Sequence, residues 1–186
     1  MTEDLETGWL NVDRRIISLN FDDRPVASEV SLLVIHNISL PPNEFRGNFI
    51  DQLFTNSLDP SYHPYFKKIA HLRVSTHLYI DRFGKVTQYV PLHRRAWHAG
   101  ESIFKEKSCC NDYSIGIELQ GSDDVPYTDR QYDRLGSLTR EVQACYPMIT
   151  VDRIVGHRDI APDRKTDPGD AFDWKRYLGG LRKFGE

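Results

Sequence analysis

Residues 31–37 read S-L-L-V-I-H-N, a continuous apolar run that ends in a polar pair, His36-Asn37. A short apolar run bounded by turn residues is the pattern of a strand buried in the middle of a sheet. Pro41-Pro42 follows at once and forces an extended turn. Outward from that strand the pattern alternates between helix and strand. Residues 48–54 (N-F-I-D-Q-L-F) have helical spacing, with Phe49, Leu53 and Ile50 to one side. Residues 64–70 predict a short helix opened by Pro64. Residues 76–80 and 86–90 flank D-R-F-G-K, the clearest hairpin in the chain. Residues 113–119 alternate as a strand, in which Gly116 is expected to allow a close backbone approach. Residues 128–145 predict the longest helix. Thr128 and Gln131 stand at capping-box spacing, and Tyr132, Leu135, Leu138, Val142 and Cys145 form its buried stripe. Gly136 in that helix is expected to mark close packing. Residues 154–157 predict a short strand and 171–184 a closing helix, while 8–26 are extended or irregular and 96–107 a loop. With no repeat and no linker, the expectation is an α/β (α+β) fold: one domain over residues 1–186, a single mixed β-sheet with helices packed on it.

Composition excludes several classes of function. A chain of 186 residues with 39% hydrophobic and 27% charged residues fits one ordinary globular domain. Its net charge of −3, with Lys and Arg scattered, argues against a nucleic-acid partner. No apolar run approaches the roughly 20 residues of a membrane span. The start, M-T-E-D-L-E-T, is acidic and unlike a secretory signal, so a cytoplasmic, monomeric protein with no membrane partner is expected. The three cysteines, Cys109, Cys110 and Cys145, are an odd set with an adjacent pair, which fits free thiols and not a disulfide framework or a metal site.

The chemistry concentrates in residues 154–170, I-V-G-H-R-D-I-A-P-D-R-K-T-D-P-G-D. A short apolar run delivers His157, and a loop held by prolines and Gly169 carries Lys165 and Asp167 back toward it. An imidazole and a carboxylate suit zinc, but a catalytic zinc needs three protein ligands and an open position. Of the seven histidines, His36 is the best third ligand, because it and His157 are each expected to end a short strand. Spacing alone favours reading Lys165 and Asp167 as part of a solvated loop. It leaves Glu118, which shares one strand face with Ser114 and Gly116, equally readable as an exposed strand residue.

Several segments together bear a specific likeness. They are G-W-L at 8–10, S-L-L-V-I-H-N-I-S-L-P-P at 31–42, A-H-L-R-V-S-T-H at 70–77, Y-V-P-L at 89–92 and R-A-W-H-A-G at 95–100. C-N-D-Y-S-I-G-I-E-L-Q-G at 110–121 and G-H-R-D-I-A-P-D-R-K-T-D-P-G at 156–169 complete the set. In these segments, and in their order, the chain resembles the zinc-dependent N-acetylmuramoyl-L-alanine amidases, in particular the cytoplasmic members that act on 1,6-anhydro-muropeptides. The resemblance implies one zinc ion per chain held by His36, His157 and Asp167, with Glu118 as general base and Lys165 beside the developing oxyanion. It implies that Asn37, Arg73 and Trp97 contact substrate. The implied reaction cuts the amide between (1,6-anhydro-)N-acetylmuramic acid and the L-alanine of the stem peptide in anhydro-muropeptides. That reaction belongs to cell-wall recycling and so bears on β-lactamase induction. Two departures stand out. The loop K-E-K-S-C-C-N-D at 105–112 carries Lys107 and Cys109 where the family favours arginines, and Arg158 stands where a smaller or neutral side chain is expected.

Overall fold

The computed structural model describes residues 7–182. Six strands build the main sheet: β1 (Arg14–Arg15), β3 (Leu32–Ile38), β4 (Leu78–Ile80), β5 (Val86–Gln88), β9 (Ser114–Gln120) and β10 (Ile154–Gly156), in the order β1-β5-β4-β9-β3-β10. Only the β4–β5 hairpin pairs antiparallel within this sheet, so it is mixed, as expected. Two small ribbons lie outside it, β2 (Phe21–Asp22) with β6 (Arg95–Ala96), and β7 (Ile103–Phe104) with β8 (Lys107–Ser108). The helices are α1 (Phe49–Phe54), α2 (Phe66–Ile69), α3 (Asp129–Cys145), α4 (His157–Ile160) and α5 (Trp174–Arg182).

The apolar run that opens the sequence reading is β3, and Leu32, Leu33, Val34 and Ile35 are all fully buried. Side chains alternate along a strand, so one run supplies both faces of the sheet. Leu33 and Ile35, with Ile115, Ile117 and Leu119 of β9, pack under α3 and α5 against Leu135, Leu138, Val142, Tyr177 and Leu181. Leu32 and Val34 point the other way, toward Tyr113, Cys110 and Ile160. His36 continues that second series, and the in-register pairing of β3 with β9 sets Glu118 directly beside it. On the face that carries Ser114, Gly116 and Glu118, the first two residues are buried and Glu118 is half-buried, so none of them is an exposed strand residue.

α3 starts where the sequence places it. Thr128 Oγ1 accepts from the Gln131 amide at 3.2 Å, and Gln131 Oε1 accepts from the Thr128 amide at 3.1 Å. The Gln131 Nε2 group also donates to the Gln120 carbonyl at 3.0 Å, tying the cap to the end of β9. The buried stripe is as expected, with Cys145 half-buried at its end.

Four expectations are corrected. Residues 96–107 are not wholly loop, because β6 and the β7–β8 ribbon fall in that region, and two-residue strands carry no readable period. His157 does not end β10; it opens the single turn of α4, where Asp159 Oδ2 accepts from the Gly156 amide at 2.7 Å. Gly136 marks no close packing, since an added Cβ would meet only Arg140 Nη1, at 3.7 Å. The closing helix starts at Trp174 and not at 171, and the expected residues 183–184 lie outside the described residues.

Thr128→Ala removes the cap and should cost about 1 kcal/mol. Leu138→Ala, in the fully buried stripe, should cost about 2–5 kcal/mol. Urea unfolding of the two variants checks this, and equal midpoints would contradict the packing described.

Candidate metal centre and active-site cleft

Three elements deliver three side chains to one point. β3 carries His36 two residues before its end at Ile38 and not at the strand's end as expected, β10 hands over to α4 with His157 as its first residue, and the loop after α4 returns with Asp167. That return is fastened by backbone hydrogen bonds, from the Lys165 amide to the Ala161 carbonyl at 2.9 Å and from the Arg158 amide to the Asp167 carbonyl at 2.9 Å. His36 Nδ1, His157 Nδ1 and Asp167 Oδ2 then form a near-equilateral triangle with edges of 3.0, 3.0 and 3.1 Å. Among the described residues this is the one group of three or more histidine, cysteine or acidic side chains able to hold a metal ion.

The donor set fits a cation. His157 Nε2 faces the Ala99 carbonyl at 3.0 Å, and a carbonyl only accepts, so that nitrogen carries the proton. His157 Nδ1 of the neutral ring is therefore a bare lone pair, 3.1 Å from a carboxylate oxygen that also offers lone pairs. Two acceptors do not attract, and a cation between them resolves the contact. A tetrahedral zinc site with bonds of 2.0–2.1 Å sets its ligand atoms about 3.3 Å apart, close to the edges seen here. Burial pushes the His36 pKa down to about 4 although Asp167 pulls the other way, so the ring is neutral at pH 7.

Through His157 and Asp167 the trio borders a cleft of about 590 Å³, with His36 buried behind them. One wall is apolar, with Phe54, Ile69, Leu72, Val74 and Trp97; the other is polar, with Asn37, Asp123, Asp124 and Lys165. Glu118 lines it too. Its Oε2 is buried and has no hydrogen-bond partner among the described residues. Burial, then the charge of Asp167, lifts its carboxyl well above the usual range, while Lys165 pulls it back. A carboxylate raised in this way is suited to taking a proton.

His36, His157 and Asp167 thus meet as the sequence suggests, and Glu118, Lys165, Asn37 and Trp97 line the same cleft. Asn37 Nδ2 donates to Asp123 Oδ1 at 2.9 Å, and Trp97 Nε1 to Asp22 Oδ1 at 3.1 Å. Arg73 is exposed and does not line the cleft, although its neighbours Leu72 and Val74 do. Of the departures, Arg158 pairs with Asp170 at 2.7 Å, Lys107 lies over the Tyr113 ring at 4.2 Å, and Cys109 is exposed. None of the three lines the cleft.

Sequence reasoning missed His98 and Asp123. His98 is half-buried beside His36, and its ring occupies the space a Cβ on residue 116 would need: that atom would lie 2.6 Å from His98 Cγ. The glycine in an alternating strand was the readable signal. What approaches it is a side-chain ring and not a backbone.

The profile of the N-acetylmuramoyl-L-alanine amidase family matches residues 26–170. The 1,6-anhydro-N-acetylmuramyl-L-alanine amidase AmpD of Escherichia coli (strain K12) is 56% identical over 173 residues, covering 93% of this chain and 94% of that one. A crystal structure of a selenomethionine derivative of AmpD superposes with a TM-score of 0.91 at 52% identity, covering 94% of this chain and 97% of that one. The Escherichia coli amidase AmiD, solved with anhydro-N-acetylmuramic acid-L-Ala-D-γ-Glu-L-Lys, superposes at 0.60 and 28% identity, over 84% of this chain and 60% of that one.

Asp167→Ala should bind a divalent ion far more weakly than the parent, because only two imidazoles remain of the donor set. Metal analysis of both proteins after equal loading checks this. Equal occupancy would remove Asp167 from the site.

Proposed function

The chain belongs to the N-acetylmuramoyl-L-alanine amidase family, and we propose that it is a zinc hydrolase of muropeptides with one zinc ion per chain. The bond cut joins the lactyl carbonyl of 1,6-anhydro-N-acetylmuramic acid to the L-alanine of the stem peptide. The observation that carries this reading is a buried, unpartnered carboxylate oxygen, Glu118 Oε2, in the same cleft as a complete His-His-Asp trio. The named activity of the E. coli relative and the ligand in the AmiD complex support the choice of substrate.

Zinc held by the trio would supply Lewis acidity and would lower the pKa of a water to about 7, which would provide a nucleophile at neutral pH. Two neutral imidazoles and one carboxylate leave that site with a net charge of +1. Glu118 takes the proton from the attacking water and later delivers it to the leaving L-alanine nitrogen. Its raised proton affinity suits both steps. Lys165, in the same polar wall, stabilises the negative charge that develops on the carbonyl oxygen. Asn37, oriented by Asp123, and Trp97, oriented by Asp22, hold substrate against the two walls. Arg73 reaches in from the exposed side to a stem carboxylate once substrate is bound. The reaction serves recycling of wall fragments in the cytoplasm, by a monomer whose whole chain is one amidase domain. No helix among the described residues is long and apolar enough to cross a membrane.

Incubation with a defined anhydro-muropeptide, read by mass, should yield the free sugar acid and the free peptide. Binding without products would make the chain a recognition module instead. Glu118→Gln should keep its zinc and lose about 10²–10⁴-fold in turnover. Lys165→Ala should lose about 10²–10³-fold. Zinc content falling in parallel with rate would mean that these residues hold the metal. Arg73→Ala should lower kcat/KM by about 10–150-fold at unchanged zinc, the worth of one charge-assisted hydrogen bond. Arg73→Lys should recover part of it. On a substrate with amidated stem carboxylates the parent should lose activity and the Ala variant should not; equal losses would return Arg73 to the surface.

A further inference from the structure

A chain of hydrogen bonds leads away from the trio, and a backbone carbonyl at its far end fixes each proton along it. Ser114 Oγ lies 2.6 Å from the Cys110 carbonyl, which only accepts, so the hydroxyl proton is donated there. His98 Nε2 lies 3.2 Å from the same Oγ, whose proton is already committed, so Nε2 carries the hydrogen and donates it. A neutral imidazole has one N–H, which leaves His98 Nδ1 a lone pair. It faces His36 Nε2 at 2.9 Å, so His36 Nε2 is the donor. The bare nitrogen of His36 is then Nδ1, the atom turned toward His157 and Asp167.

We propose that His98 is a positioning residue that holds His36 in its metal-ready tautomer, with Ser114 setting the tautomer of His98 in turn. The proposal rests on the reading of the trio as a metal site.

The surroundings of His98 are built to keep it there. Its ring lies against Gly116, where a Cβ would come within 2.6 Å of Cγ. Its root is pinned because the His98 and Ala99 amides both donate to Asn111 Oδ1, at 3.1 and 2.8 Å. The neighbouring His77 ring does not compete, since its Nδ1 accepts from the Gly116 amide and its Nε2 donates to the Arg94 carbonyl, both at 3.0 Å. Residues 98 and 99 therefore serve both histidines of the trio: the His98 side chain takes the proton of His36, and the Ala99 carbonyl takes that of His157. Such outer partners orient a ligand and tune its basicity. A neutral imidazole withdraws the His36 proton less than a carboxylate would, so His36 stays a milder donor and the metal keeps more of its Lewis acidity.

Two measurements that need no turnover test this: zinc affinity by competition with a chelator, and ¹⁵N–¹H correlation of the imidazole nitrogens in metal-free protein. The parent should show His36 protonated at Nε2. His98→Leu should weaken zinc binding by about 10–100-fold and give His36 a mixture of tautomers. His98→Asn, which returns an acceptor oxygen near the position of Nδ1, should recover most of the affinity. Ser114→Ala should mix the tautomers of both rings and weaken zinc binding less. If His98→Leu does not fold, Ser114→Ala, which removes a single oxygen, carries the test. Zinc affinity within twofold of the parent in these variants, with His36 still protonated only at Nε2, would overturn the role of His98. A parent that binds no zinc would instead overturn the metal reading, and the tautomers of the metal-free protein would still decide the role of His98.

Discussion

Three lone-pair atoms held 3.0–3.1 Å apart in a buried corner are the constraint on which the rest of this structure turns. Left alone they repel, and His36, 1% exposed, has no water to turn to. The fold must therefore supply the closing force from elsewhere. It does so with β3 buried on both faces, with α4 anchored through Asp159, and with the fastened loop that returns Asp167. A cation relieves the repulsion that packing otherwise has to hold, so metal binding and folding should share one free energy in this corner.

Electrostatics in the cleft follow from the same crowding. Glu118 and Asp167 are two carboxylates in one cleft, and the charge of Asp167 raises the proton affinity of Glu118. Asp167 faces the two imidazoles of the trio, while Glu118 Oε2 has no partner among the described residues and its carboxyl is driven high. Two residues of like chemistry thus take their charge states from their surroundings. Lys165 stands in the same wall and tempers the rise at Glu118.

Much of this was legible in the sequence, and the remainder was not, for identifiable reasons. β3, β9 and α3 were readable because each runs long enough to declare its period, and the Thr128–Gln131 box because capping is local. The two-residue ribbons carry no period at all. The helical start at His157 was hidden because Ile154–Gly156 reads as apolar strand up to the histidine itself, and the turn depends on Asp159 reaching back. The trio was legible as residue types, but its closure needed contacts 121 and 131 residues apart in sequence. His98 was invisible for a similar reason: its meaning lies in Ser114 and His36, neither of which is its neighbour in the chain. Gly136 shows the opposite failure, a glycine whose local cost suggested a packing reason that no neighbour supplies.

The alternation along β3 and β9 has a consequence for how such a chain can change over generations. Leu33, Ile35, Ile115, Ile117 and Leu119, at odd positions, feed the core under α3, and His36 and Glu118, at even positions, share the opposite face, with Asn37 reaching the cleft near the end of β3. Substitution at any one position leaves that division in place. Insertion or deletion of one residue does not, because every position beyond it changes sides, sending His36 or Glu118 into the oily layer and a leucine into the cleft. Descent can therefore rewrite the letters of these two strands but not their length. The exposed turn at Lys105 and Glu106, which contributes nothing to the cleft, is under no such rule and is where differences in length among relatives can accumulate.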